Sequence, residues 1–129
     1  MDAGNKHVPS HCKVLSETLA RVGDKWTILV IGTLGDGPKR FNEIRRSLDG
    51  ISQRMLTLTL RGLERDGLVS RTVTPTTPPR VDYALTGLGL TLLAPLDTLR
   101  EWAVTNRPAM EAARRRYEGA EEIEEAEAA

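Results

Sequence analysis

Apolar residues recur at steps of three and four through most of the chain, and at steps of two in one short stretch. From Cys12 to Val22, the positions Val14, Leu15, Leu19 and Val22 fall at helical spacing, and Gly23 ends the run. Asp24 is suited to cap a second helix, Lys25 to Leu34, in which Trp26, Ile28, Leu29, Ile31 and Leu34 are the apolar positions. The sequence Gly35-Asp36-Gly37-Pro38 interrupts it. A short helix from Arg40 to Leu48 would bury Phe41, Ile44 and Leu48. Asp49-Gly50-Ile51 makes a tight turn, and Ser52 is a good cap for a helix from Gln53 to about Asp66. There Leu56, Leu60 and Leu63 face inward, which places Gln53, Arg54, Thr57 and Arg61 outward. Gly67 stops this helix.

The period then drops to two. Val69, Arg71 and Val73 alternate with Ser70, Thr72 and Thr74, and Val81, Tyr83 and Leu85 alternate with Asp82 and Ala84. This predicts a β-hairpin whose tip is Pro75-Thr76-Thr77-Pro78-Pro79-Arg80, kept out of the ladder by its prolines. Thr86 is expected to cap a long last helix with Leu88, Leu92, Leu96, Leu99 and Ala103 in one stripe, broadened by Leu93 and Trp102. Pro95 should bend that helix, Pro108 should open a final segment, and the Glu/Ala tail beyond should fray.

Helix, helix, glycine turn, polar-faced helix and hairpin, in that order, form a winged helix-turn-helix. The expected fold class is therefore mainly α (α+β), with a C-terminal dimerisation helix. The expected organisation is a flexible arm over 1–11, the winged domain over 12–106 and an acidic C-terminal helix or tail over 107–129. Within the domain, 37–85 is the DNA-reading part, and 12–22 and 86–106 are dimerisation helices.

Composition narrows the function. A chain of 129 residues suits one domain, with little left for a deep substrate cleft. The single cysteine, Cys12, excludes an internal disulfide and a cysteine-based zinc cage, and it points to a reducing compartment. No apolar run approaches membrane-spanning length, and the polar start lacks the apolar core of a signal peptide, so a cytoplasmic protein without membrane contact is expected. The net charge is zero but unevenly placed. Between Gly37 and Arg80, nine cations stand against four anions, a net +5, whereas the last twelve residues hold six glutamates and no cation. A basic middle beside an acidic tail is the charge pattern of a DNA reader.

No phosphate-binding glycine loop, nucleophile elbow, CxxC or HExxH is present, so no enzyme and no cofactor is expected. His7, His11 and Cys12 are too few to make a zinc site, so no metal is expected either. The candidate chemistry is recognition. A major groove about 12 Å wide admits one helix, and bases are read by side chains near its N-terminal end. Ser52, Gln53, Arg54 and Thr57 supply hydroxyl, amide and guanidinium groups there, with Arg61 one turn further on. Thr76, Thr77 and Arg80 arm the hairpin tip, and Lys39 and Arg40 are placed for backbone contact before the supporting helix. Leu15, Leu19, Leu92, Leu96, Leu99 and Trp102 are the candidate dimerisation residues; Trp26 and Trp102 read first as core or interface packing and second as walls of a ligand pocket.

The stretch from Cys12 to Trp102 resembles the HxlR-type branch of the MarR-like winged-helix regulators. The matching segments are the lone Cys12, Gly23-Asp24-Lys25-Trp26-Thr27, Gly37-Pro38-Lys39-Arg40-Phe41-Asn42-Glu43-Ile44-Arg45-Arg46, Gly50-Ile51-Ser52-Gln53-Arg54-Met55-Leu56, Leu60-Arg61-Gly62-Leu63-Glu64-Arg65-Asp66-Gly67-Leu68-Val69 and Pro78-Pro79-Arg80-Val81-Asp82-Tyr83-Ala84-Leu85-Thr86. The resemblance implies a homodimeric repressor of a nearby gene that binds double-stranded operator DNA. It further implies that Cys12 is a thiol or electrophile sensor for a small-molecule or oxidant effector. The residue itself also reads as a small apolar packing residue at a dimer interface, and both readings stay open. Two positions depart from the family pattern: Leu58, where relatives often carry a polar residue, and Gly62, in place of a stronger helix former. The alternative function is a winged-helix module for protein or small-ligand binding without operator binding. It would be expected to lack Arg80 and the polar start of the reading helix, and both are present.

Overall fold

The computed structural model describes residues 10–128. The elements are α1 (Ser10–Val22), α2 (Lys25–Leu34), α3 (Phe41–Ser47), α4 (Gln53–Arg65), β1 (Val69–Thr74), β2 (Arg80–Leu85), α5 (Gly87–Leu90) and α6 (Leu93–Ala128). Most of the expected arm, including His7, lies outside the described residues. Ser10 and His11 belong to the first turn of α1.

The core is built by α2, α3, α4 and the base of the hairpin. Its fully buried side chains include Val30, Ile31, Leu34, Ile44, Leu56 and Leu60, joined by Leu48, Ile51, Leu63, Leu68 and Val69. The stripe expected of α4 is the one buried. In α2 the expectation needs correction. Thr27, Val30, Ile31 and Leu34 face in, while Leu29 is exposed and Trp26 and Ile28 are half-buried. The buried set follows the i, i+3, i+4, i+7 rule, which places Thr27 inside despite its hydroxyl. Asp24 caps α2 as expected, accepting hydrogen bonds from the Trp26 and Thr27 amides at 3.1 and 3.3 Å.

The hairpin is antiparallel, with Val69 opposite Leu85 and Thr74 opposite Arg80. Arg80 thus belongs to β2 rather than to the tip. Only the base is anchored: Val69 is buried, and every residue from Arg71 to Arg80 is exposed. A third segment joins it. The amide and carbonyl of Lys39 exchange hydrogen bonds with those of Tyr83, at 2.9 and 2.8 Å.

The C-terminal region differs most from expectation. Thr86 caps not a long helix but the single turn α5, its Oγ1 accepting from the Gly89 amide at 3.0 Å and donating to the Gly67 carbonyl at 2.6 Å. The chain breaks at Thr91 and Leu92, and α6 starts at Leu93. Pro95 explains the break. In a continuous helix its ring would clash with the Thr91 carbonyl and leave that carbonyl without a donor, whereas in the first turn of a new helix neither cost arises. Leu88 and Leu92 therefore do not share a helix with Leu96, Leu99 and Trp102. Pro108, in turn, does not open a segment, because α6 continues through it to Ala128. The expected frayed tail is helical, consistent with its run of strong helix formers and an Arg107–Glu111 pair at 3.3 Å. The chain divides into two compact units, 1–93 and 94–129. The second is the α6 helix from Ala94 onward, whose Leu99, Trp102 and Val104 are exposed.

Gly89 fixes the seat of α5. A Cβ built there would collide with the Leu68 carbonyl oxygen, so the turn lies directly on the start of the hairpin. Glycine-to-alanine changes in helices ordinarily stabilise. Gly89→Ala is expected to do the opposite, lowering unfolding free energy by roughly 1–3 kcal/mol through overpacking. Urea denaturation checks the sign, and a variant as stable as the parent would mean that α5 can move off Leu68.

Candidate nucleic-acid interface

α4 sets the interface by having only one face the core can accept. Leu56, Thr59, Leu60 and Leu63 are buried, so the opposite line, Arg54, Leu58, Arg61 and Arg65, projects outward at steps of four, three and four. Gln53 also is exposed, and Thr57 is half-buried on the flank nearest β2. Ser52 Oγ accepts from the Met55 amide at 3.0 Å, and the Ser52 carbonyl takes the Leu56 amide at 3.0 Å. The Gln53 and Arg54 amides have no carbonyl one turn back to donate to. They point out of a 13-residue helix whose dipole favours an anion.

The cations of α4 are unspent. Ion pairs among the described residues join Arg21 to Asp66, Arg80 to Asp82, Arg100 to Asp97 and Arg107 to Glu111, and none engages Arg54, Arg61 or Arg65. The Thr57 hydroxyl donates back to the Gln53 carbonyl at 2.9 Å, so toward a ligand it can only accept. Gln53, Arg54, Thr57, Leu58 and Arg61 line a shallow depression of about 570 Å³ along the helix. Beside it, Thr57, Arg61, Glu64, Arg71 and Tyr83 line a groove of about 330 Å³ between α4 and the hairpin. Arg65 and Arg71 belong to this basic surface and were not among the residues singled out from sequence. Their phase with Arg54 and Arg61 was the available signal for Arg65.

The hairpin residues divide. Thr77 is exposed. The Thr76 hydroxyl is turned inward, donating to the Pro78 carbonyl at 2.8 Å, so it shapes the tip. Arg80 Nε pairs with Asp82 at 3.1 Å, which holds the guanidinium against its own strand. An exposed pair of this kind is worth under about 1 kcal/mol, and a phosphate can displace it. Lys39 is fixed through its backbone to Tyr83, which ties the segment before α3 to the hairpin. Arg40 precedes α3, and its amide donates to Glu43 Oε1 at 2.9 Å, leaving the guanidinium exposed.

The remaining candidates lie elsewhere. Cys12 is exposed in the first turn of α1. α1 buries none of its side chains, and Val14, Leu15 and Leu19 are among its exposed apolar residues. Leu92 lies between α5 and α6, where with Val14, Val22, Leu68 and Leu88 it lines an apolar groove of about 430 Å³. No helix among the described residues is long and apolar enough to cross a membrane.

The chain is similar to known transcription regulators. The profile of the HxlR-like helix-turn-helix family matches residues 21–111. A helix-turn-helix transcriptional regulator of Methanothermobacter thermautotrophicus is 53% identical over 81 residues, covering 63% of this chain and 62% of the relative's length. The helix-turn-helix transcriptional regulator YybR of Bacillus subtilis is 46% identical over 97 residues, 75% of this chain and 78% of its own. Among solved structures, the redox regulator HypR in its reduced form superposes with a TM-score of 0.72 at 45% identity, covering 76% of this chain and 97% of HypR.

Proposed function

This chain belongs to the HxlR-like helix-turn-helix family of DNA-binding transcription regulators, and from that premise we propose that it is a cytoplasmic homodimer that represses a nearby gene by occupying its operator. The observation that carries this reading is the outward line of α4. No ion pair among the described residues engages its guanidinium groups, its N-terminal amides are open, and a basic groove runs beside it. In this reading Gln53, Arg54, Thr57 and Arg61 enter the major groove, and Ser52 shapes the helix start that meets a phosphate. Lys39, Arg40, Thr76, Thr77 and Arg80 hold the backbone to either side. The Arg80–Asp82 pair opens on contact, so Arg80 adds register more than affinity.

Dimerisation uses 12–22 and 86–106, where exposed Leu15, Leu19, Leu99 and Trp102 offer apolar surface that a second copy would cover. Leu96 and Leu92 contribute from the start of α6 and the segment before it. The reading helices must then sit about 34 Å apart to reach successive half-sites. Cys12, exposed on α1, is the thiol through which an oxidant or electrophile would alter that spacing. The likeness to HypR, described as a redox regulator, supports this assignment.

Four outcomes are expected. Arg54→Ala should cost about 1–3 kcal/mol of operator affinity and relax preference at one base pair. Lys39→Ala, by contrast, should weaken all sequences alike and lower the salt slope by about one. Titration of selected and scrambled duplexes distinguishes the two, and an unchanged Arg54→Ala affinity would remove α4 from the groove. Light scattering at micromolar concentration should give twice the chain mass, and a natively folded monomer would contradict the dimer. Diamide should shift operator affinity of the parent protein and leave Cys12→Ser unmoved. Equal responses would return Cys12 to a packing role.

A further inference from the structure

Leu58 is out of character with its surroundings. It is 49% exposed on a helix that buries every other leucine it has. It also stands within the outward line rather than at its margin, one turn after Arg54, one before Arg61 and two before Arg65. Of the five residues lining the depression along α4, it is the one apolar member, beside Gln53, Arg54, Thr57 and Arg61. Single exposed leucines are common and need no explanation on an idle surface. Every other residue on this outward line, however, is an arginine, the exposed Met55 and Glu64 lying on the flanks of the helix, and it is the surface proposed above to enter the groove. An apolar side chain there gains nothing from phosphates, from water or from the hydrogen-bonding atoms of base edges.

The major groove presents one apolar group on its base edges, the C5-methyl of thymine. We infer that Leu58 reads a thymine methyl and is a specificity-determining residue of this protein. The inference rests on the operator-binding reading of α4. One helical turn advances about 5.4 Å and one base-pair step about 3.4 Å. The thymine therefore lies one or two steps from the base read by Arg54. The aliphatic stems of Arg54 and Arg61 flank Leu58 and would close the contact against water, as arginine stems do when their heads are held by phosphate or base. The discrimination is steric and hydrophobic. A cytosine at that position offers an amino group and no methyl, and burying the amino group against leucine would leave a donor unpaired.

The test uses chemically synthesised duplexes, in which thymine is the sole source of a C5-methyl. A duplex is first selected by the full-length protein from a random library. Its thymines are then replaced by deoxyuridine one position at a time, which deletes the methyl and keeps every base-edge hydrogen bond. For the parent protein, one replacement per half-site should weaken binding by about fourfold, the size of one methyl leaving a dry contact. Leu58→Ala should bind the thymine and deoxyuridine duplexes equally. Leu58→Gln should do the same, and Leu58→Met, which keeps an apolar tip, should retain the discrimination. Circular dichroism of each variant confirms that α4 is intact. If no deoxyuridine duplex weakens the parent, or if Leu58→Ala stays sensitive at the same position, the inference is overturned while operator binding stands. If selection enriches no sequence at all, the operator reading itself falls, and this inference with it.

Discussion

The burial of Leu56, Leu60 and Leu63 beneath α4 governs the rest of the molecule. These side chains pack with α2 and the start of β1 into a core that also holds Ile31, Leu34 and Ile44. Each buried leucine is worth about 1.5–3 kcal/mol relative to exposure, far more than any surface ion pair here. The helix therefore cannot rotate about its axis without giving up several such terms. Since side chains repeat every 3.6 residues, fixing the inner stripe fixes the outer one. Arg54, Leu58, Arg61 and Arg65 face outward because their neighbours at the intervening positions cannot. A base-reading surface needs side chains held in one direction, and here the core supplies that.

The hairpin is held to the same frame by backbone rather than side chains. Beyond Val69 almost nothing of β1 is buried, so packing alone would leave it loose. The paired hydrogen bonds between Lys39 and Tyr83 bind β2 to the segment before α3, and the Gly89 contact seats α5 against Leu68. Both restraints use the peptide group, whose position does not depend on a rotamer. The tip is exposed, while the base of the hairpin is tied to the frame that carries α4.

Most of this architecture was legible in the sequence because it is local. The capping residues Asp24, Ser52 and Thr86 all act as caps, and the change from a period of three or four to two at Val69 marks the hairpin. What was not legible is of two kinds. The first is a competition between local signals. The leucine stripe from Leu88 to Leu99 argued for one helix, but the steric cost of Pro95 against the Thr91 carbonyl outweighs that preference. Conversely, Pro108 looked like a boundary and is absorbed, with strong helix formers on either side of it. The second kind is contact between distant residues. Neither the Lys39–Tyr83 pairing nor the close approach of Gly89 to Leu68 leaves a periodic trace. Arg80 was visible as a cation near the tip, yet its partner Asp82 could be assigned only once β2 was placed. The candidate site was legible for α4, where one face implies the other, and less so for the hairpin, where hydroxyls and charges turn out to serve the hairpin itself.

The zero net charge is a sum over regions that do not share a task. The cations of 37–80 lie in the first compact unit, and the glutamates from Glu118 to Glu127 lie in the second. Charges interact appreciably only within a Debye length, about 8 Å at physiological salt, so a sum over the whole chain does not describe the field at any one helix. Within 37–80 the cations outnumber the anions, and among the described residues no ion pair engages Arg54, Arg61 or Arg65. The total matters at longer range and lower salt, where a neutral protein gains little from the polyanionic field of bulk DNA. If α4 enters the groove as proposed, non-specific affinity would be held down while local contacts keep their full strength. Selectivity would then rest on the few groups that touch bases and their adjoining phosphates, and so on the geometry of α4 rather than on overall charge.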